Sequence, residues 1–292
     1  MARRTCKSIL APIRARKFLN GVFAAMALLI FVLPLALTLA YSIEDPYVMN
    51  RYIQDTQNAL SGLGPPLKIF PQRATLMQYY KLLLQQIAYL RFYLNSVIYA
   101  FTITAGQLVV GSMMAFSLTY FKYKGLNLLA FTYVLLFLMP YQVTMVPGFI
   151  VLRALGLLDT YAALCLPAIF SPLAVLLLRQ DMRTIPGEML ESAKVDGANP
   201  LNAFCLIVLP LCKSALCAAG ALGFAEAWNM IEQPLILLKR VTLYPLSLAL
   251  LGNAEIGGAE FAAASLYLIP PLMLFLYFHE DVIQGIQLGE LK

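Results

Sequence analysis

Apolar positions in this chain run in long blocks instead of alternating with polar ones. Phe18–Ile43, Phe92–Phe121, Gly125–Leu152 and Thr160–Leu178 carry no charged residue, and each is long enough or nearly so for a membrane helix, which needs about 20 apolar residues. A fifth block, roughly Leu206–Leu238, is interrupted by Lys213, Glu226 and Glu232, and a sixth, Phe261–Phe278, extends into the weakly polar Val282–Leu288. The pattern predicts an all-α polytopic protein of six transmembrane helices. It divides the chain into a basic segment 1–17, a first span 18–43, an extramembrane loop 44–91 and a five-span core 92–292.

Within the loop, Ser61–Pro71 (SGLGPPLKIFP) is turn chemistry. After it, Leu76, Tyr79, Tyr80, Leu83, Ile87 and Leu90 recur at helical spacing, which predicts an amphipathic helix on the outer surface. It is read as packed on its own bundle or as a docking face for an external partner. Prolines punctuate the spans at positions 34, 140, 147, 167, 172, 210, 234, 270 and 271, each freeing backbone carbonyls that neighbours must satisfy.

Composition agrees with the pattern: 61% of residues are hydrophobic and 12% charged, against about a quarter charged in soluble domains. Lys and Arg placement sets the orientation. With the N-terminus inside, the inner positions hold Arg3, Arg4, Lys7, Arg14, Arg16, Lys17, Lys122, Lys124, Arg179, Arg183, Lys194, Lys213 and Lys292. Both termini are therefore expected in the cytoplasm, and the net charge of +6 is accounted for by topology, not by nucleic-acid binding. The first span is too long for the apolar core of a signal peptide, about 7–15 residues, and is read as a retained helix. The five cysteines show no CxxC and no histidine at ligand spacing, so no metal site is expected. No GxxxxGK[ST] occurs, so this chain does not itself hydrolyse ATP.

One polar stretch stands out between the fourth and fifth blocks, at 184–210. Thr184-Ile185-Pro186 starts a helix with Pro in its first turn. Glu188 and Glu191 lie near its positive end, and Asp196-Gly197 ends it. Asn199 caps a second helix with Pro200 at its first position, which continues into the membrane and kinks at Leu209-Pro210. A DNA-binding helix–turn–helix is excluded by sign, since this stretch has three acids and one base.

The same stretch resembles a signature of the inner-membrane permeases of ABC importers: Glu-Ala-Ala, three residues, Gly, nine residues, Ile-x-Leu-Pro. Here it is Glu191-Ser192-Ala193, Gly197, Ile207 and Leu209-Pro210, with Ser192 the one departure. The likeness extends to LNSV (Leu94–Val97), GLLDTYAALCLP (Gly156–Pro167) and AWN (Ala227–Asn229), as in the second permease of carbohydrate importers of the maltose and glycerol-3-phosphate type. The resemblance implies a type I importer permease fold in a bacterial cytoplasmic membrane. It implies a coupling helix seated in a cytoplasmic ATPase and formed here by Glu188, Glu191, Ser192, Ala193, Asp196, Gly197, Ala198 and Pro200, with Ala193 and Ala198 permitting close approach. The partners it implies are a companion permease, two nucleotide-binding subunits holding ATP and Mg, an extracytoplasmic solute-binding protein and membrane lipid. This chain itself would bind no cofactor.

Ionisable groups inside spans are costly and so are functional candidates. Glu226, Trp228 and Asn229 are candidates for a sugar path, the carboxylate and amide binding hydroxyls and the indole stacking on a pyranose. Gln142 and Thr144, between Pro140 and Pro147, are further candidates. Glu232 is read as solvated at the outer end or as satisfying a helix break. By resemblance the companion subunit can hold the sugar site alone. Lys239–Glu260 is read either as a loop reaching to the binding protein, flexed at Gly252, Gly257 and Gly258, or as a plain surface loop. The tail after Phe278 looks like a cytoplasmic terminus contacting the ATPase pair, with His279 interfacial. The function expected is a permease for a sugar or sugar-like solute; alternatives are another solute, such as glycerol phosphate or a polyamine, or a non-transport scaffold. An intramembrane enzyme using Glu226 and His279 is disfavoured, since the two fall near opposite faces.

Overall fold

Helix accounts for all regular structure among the described residues apart from one isolated antiparallel bridge, Glu44 to Ala74. The computed structural model describes the chain at 2–58, 70–121, 123–253 and 259–290, with side chains at 20–51, 55, 70–121, 123–251 and 259–283. The Ser61–Pro71 turn is thus described only from Phe70, and Lys122, Gly257, Gly258 and Lys292 lie outside the described residues, as do the side chains of the N-terminal basic segment. The chain divides into two units, Met1–Gln86 with Ile256–Leu266, and Ile87–Glu255 with Tyr267–Lys292.

The first unit holds α1 (Ala2–Ser42), α2 (Pro46–Asn58) and α3 (Met77–Tyr80), the last running on as a π turn, Lys81–Gln85. Most described side chains of α1 are exposed, and the half-buried ones gather towards its C-terminal end. Glu44 closes the excursion that follows. Its carboxylate, 4% exposed, accepts the backbone N–H groups of Gln72 (2.7 Å), Arg73 (2.9 Å) and Asp45 (3.3 Å). Three charge-assisted bonds offset the cost of burying it. Gln78, fully buried, donates to the carbonyls of Tyr41 and Glu44, both at 2.8 Å. The amphipathic helix expected through Leu90 is corrected here: it breaks at Gln86 (φ −111°, ψ 83°). Its predicted apolar face is also the uncovered one, with Leu76, Tyr80 and Ile87 exposed and Gln78 and Leu82 buried. The Gln78 amide is drawn inward by the carbonyls left open where α1 ends, and it takes its side of the helix with it.

In the second unit the helices Tyr161–Ile169, Pro172–Met182 and Lys213–Trp228 pack on α4 (Ile87–Tyr120), 34 residues and about 50 Å long. The third expected span is two helices, α5 (Leu126–Leu138) and α6 (Tyr141–Ala154), bent by 107° at Met139-Pro140. The fourth is α7 (Tyr161–Ile169) and α8 (Pro172–Met182), restarted by a Ser171 cap and Pro172 at its first turn. The missing N–H of Pro172 leaves the Ala168 carbonyl without its helical donor. The Gln107 side chain of α4, 5% exposed, supplies one from Nε2 at 2.9 Å.

After α9 (Gly187–Val195) and α10 (Pro200–Ala203) comes a π turn, Phe204–Val208, then α11 (Leu209–Leu211) and α12 (Lys213–Trp228). The kink expected at Pro210 lies two residues later, at Cys212 (φ −91°, ψ 21°), where the axis turns by 80°. The wider π turn precedes the proline and helix continues through it, so the bend falls at the next residue free to leave helical geometry. Nor is the fifth block one span: α12 ends at Trp228 and a separate α13 (Glu232–Leu237) follows. The short α14 (Leu246–Leu248) leads towards α15 (Glu260–Glu290), which continues helically through Pro270-Pro271. Among the described residues four helices are long and apolar enough to cross a membrane, or up to six spans if each bent pair counts as one.

Candidate functional site

The polar elbow is built as capping chemistry dictates. Pro186 is the residue before α9 (ψ 131°), one position earlier than expected, and Glu188 and Lys194 sit at the ends the helix dipole favours. At the far end Gly197 N–H bonds Lys194 O (3.2 Å) and Ala198 N–H bonds Ala193 O (2.9 Å), the paired closure of a Schellman motif. That motif demands a left-handed residue, and Gly197 supplies it at φ +86°. Asn199 Oδ1 then accepts the Asn202 N–H at 2.7 Å, with Pro200 in the first turn of α10.

Only Ala193 is buried on α9, with Leu190 half-buried. Glu188, Glu191, Ser192, Asp196, Gly197 and Pro200 are exposed, and Ala198 is half-buried. Ala193 is 9% exposed, unlike the exposed residues around it on α9. Sequence reasoning overlooked Met189 and Val195, exposed apolar side chains on this extramembrane helix, Val195 at 87%. The signal for them was their place off the Leu190–Ala193 face. Downstream, Phe204 and Val208 are buried, Phe204 lies 5.1 Å from the Phe116 ring, and beyond the Cys212 bend Lys213 reaches Asp281 of α15 at 3.7 Å. The stretch that follows α9 is thus anchored in packed helices.

The membrane candidates separate. Gln142 Nε2 reaches both carboxylate oxygens of Glu232, at 3.3 and 3.5 Å, so Glu232 is neither merely solvated nor a cap alone. Glu226 and Asn229 lie on the exposed face of α12, one turn apart. Asn229 is held by donating to Ala225 O and accepting from the Tyr267 hydroxyl, both 2.8 Å. Thr144 is exposed and bonds its own helix at Tyr141 O. Trp228 corrects its reading outright. It is 0% exposed, stacked on Phe224 (5.6 Å, 15°), flanked by Tyr267 (5.3 Å) and Tyr93 (5.9 Å), with Nε1 donating to Tyr267 O. The largest apolar side chain at the end of α12 stabilises the fold most when fully covered, and no face is left for a sugar.

The segment after α13 is no free loop up to Ala249. Leu243, Leu246, Ser247, Leu248 and Ala249 are buried. Asn95 Nδ2 donates to the carbonyls of Thr242 and Tyr244 at 3.0 Å, Ser96 Oγ accepts the Leu246 N–H at 2.7 Å, and Tyr161 donates to Asn95 Oδ1 at 2.6 Å. The LNSV stretch is therefore a clamp on this segment. Asp159, in the left-handed region (φ +61°), fixes its start by accepting the N–H groups of Lys239 and Arg240 at 2.9 Å and pairing with the Arg240 guanidinium at 2.8 Å. The Arg240 N–H most of all, joined by the Lys239 N–H and the guanidinium, holds its carboxyl below the ordinary carboxylate value; desolvation, second in size to the Arg240 N–H, opposes them. A carboxyl lowered on folding stabilises in full above its unfolded pKa and loses that contribution as pH falls through its folded one. The fastening is thus expected to hold at neutral pH and release only in acid. Relative to an unstructured peptide carrying the same bond and cleaved in the same mixture, pepsin cleavage at Leu243-Tyr244 should rise as pH falls in the wild type, and Asp159→Asn should remove that relative rise.

His279, exposed, is 2.9 Å from Leu276 O and 4.0 Å from Glu280; it stands beside no nucleophile.

Comparison with known proteins bears on these parts. The family described as binding-protein-dependent transport system inner membrane component matches residues 107–280. The sn-glycerol-3-phosphate transport system permease protein UgpE of Shigella flexneri serotype 5b (strain 8401) is 34% identical over 202 residues, 67% of this chain and 72% of that one. Its counterpart in Escherichia coli (strain K12) is 33% identical over the same length and shares. Among solved structures, a bacterial ABC transporter involved in the import of the acidic polysaccharide alginate superposes with a TM-score of 0.77 at 19% identity, covering 91% of this chain and 96% of that one.

Proposed function

This chain belongs to the binding-protein-dependent transport system inner membrane components, and on that premise we propose how it works as a permease of an ATP-driven importer for a sugar or sugar-like solute. It is a multi-pass inner-membrane protein. Its family implies a companion permease, an ATPase and a binding protein.

In our reading the companion forms a heterodimer with this chain, both termini are cytoplasmic, and two nucleotide-binding subunits carry ATP and Mg. The helix α9 is the coupling helix. Glu188, Glu191 and Asp196 offer charge to a basic cleft, Ser192 and Ala198 lie beside them, and Met189 and Val195 supply apolar contact. Movement of α9 passes through Gly197 and the α10–α11 arm to the Cys212 bend, giving rigid-body rocking around a path. Gln142, Glu232, Glu226 and Asn229 are candidates to line that path, with Thr144 nearby; hydrogen bonds from their carboxylates and amides suit hydroxyls. The 34% identity to a glycerol-phosphate permease favours a phosphorylated polyol as a second reading of the solute.

The observation that carries this proposal is the exposure of nearly all of α9 at the end of a rigid capped arm. With the whole importer reconstituted in proteoliposomes, Glu191→Lys is expected to lower uptake and binding-protein-stimulated ATP hydrolysis about tenfold or more, as reversing one charge of an interface pair does, while assembly in the membrane persists. Normal uptake in that variant would sink the coupling role.

A further inference from the structure

At the α9 end of α8 the fold leaves positive charge unanswered. Arg179 stands in the last turn of the fourth candidate span, half-buried, and its Nε has neither solvent exposure nor a hydrogen-bond partner. Among the described residues the ion pairs are Lys213–Asp281, Arg240–Asp159 and His279–Glu280, and none includes Arg179 or its neighbour Arg183. Arg183 lies four residues on, at the helix cap and exposed, so the two side chains share a face.

The surrounding elements do not supply an anion. Asp181, between the two arginines, forms an ion pair with neither. Glu188 of α9 lies within ion-pair distance of neither arginine. The helix α5, packed on α8, is preceded by another cation, Lys124, and the Pro200–Leu211 stretch carries no charge at all. A guanidinium partly withdrawn from water needs an anion to offset its desolvation. An arginine in the last turn of a span, as Arg179 is, is within reach of the membrane surface by snorkelling.

We propose that Arg179 and Arg183 bind the phosphate of an anionic phospholipid in the leaflet nearest α9. A phosphodiester matches the bidentate geometry of arginine, and basic recesses between spans at the cytoplasmic surface are suited to such headgroups. The site sits beside the arm that positions the coupling helix, so a bound lipid steadies that corner whatever the solute. The inference rests on the membrane orientation proposed above but not on the sugar path.

The test uses the permease pair in nanodiscs of phosphatidylcholine with phosphatidylglycerol, without ATPase subunits, read by native mass spectrometry after detergent washing. The wild type is expected to retain phosphatidylglycerol, and Arg179→Gln with Arg183→Gln to retain about tenfold less. Arg183→Gln alone, at an exposed cap, keeps the fold and should show a partial loss. Millimolar inorganic phosphate should not displace the lipid. Equal retention in the double variant overturns the proposal, as does displacement by inorganic phosphate, which marks a free-anion site. Unchanged retention, with binding of nucleotide-binding subunits lost when these are added back in a second measurement, assigns the arginines to the ATPase and overturns it as well. Failure of Glu191→Lys to impair uptake, by contrast, would leave the lipid result untouched.

Discussion

Gly223→Ala is expected to destabilise the permease by about 2–4 kcal/mol, from overpacking plus a buried polar group left unpaired. A Cβ at Gly223 would lie 2.2 Å from Gln107 Oε1 and 3.4 Å from its Cδ, so the amide must move. It is not free to do so, because its Nε2 satisfies the carbonyl that Pro172 leaves open at Ala168. Relief of the overlap therefore breaks the bond that supports the α7–α8 break. Thermal denaturation of the purified protein should show the loss. Adding Gln107→Ala should recover part of it, since the two residues act on one contact and their effects are not additive. A Gly223→Ala protein as stable as the wild type, in the Gln107 background, would mean that the amide has room which its geometry denies.

Gly197→Val should act in the opposite way, leaving stability nearly intact and removing function. No atom lies within 4 Å of a Cβ built at Gly197, so crowding is not at issue; the cost is the left-handed backbone itself, about 1–2 kcal/mol for a residue with a side chain. Relaxing that strain opens the Schellman closure and swings α9 relative to α10. About a tenfold shift away from the seated geometry follows from a cost of that size. Uptake and stimulated ATP hydrolysis should fall accordingly in the reconstituted importer, with membrane assembly unchanged. Gly197→Asn, whose side chain tolerates the left-handed region, should retain much more activity. If valine and asparagine behaved alike, the turn would not be what positions the helix.

The sequence revealed what local chemistry controls. Apolar run length marked the spans, and the Pro, Asp-Gly and Asn-Pro punctuation marked both ends of α9 to within a residue or so. It was silent where distant segments decide. The burial of Trp228 depends on Tyr93 of α4 and Tyr267 of α15 closing over it beside Phe224 of its own helix, and nothing adjacent to AWN signals the two distant tyrosines. Spacing alone chose the wrong face of the 76–90 segment, because Gln78 answers carbonyls some 35 residues upstream. The meeting of Gln142 with Glu232, 90 residues apart, is likewise a product of two chain breaks. LNSV was recognisable as a pattern, but its purpose needed the carbonyls of Thr242 and Tyr244.

The Glu44 carboxylate has a consequence for how this protein can be altered. It pins Gln72 and Arg73, 28 and 29 residues away in sequence, to the end of α1. The chain between them therefore leaves and returns at one fixed point. Lengthening such a closed excursion costs little, about 0.6 kcal/mol per doubling, and none of that cost is passed to the helices it joins. This is the place to graft a tag or a foreign loop, and the place where related permeases could diverge in length while keeping the same spans.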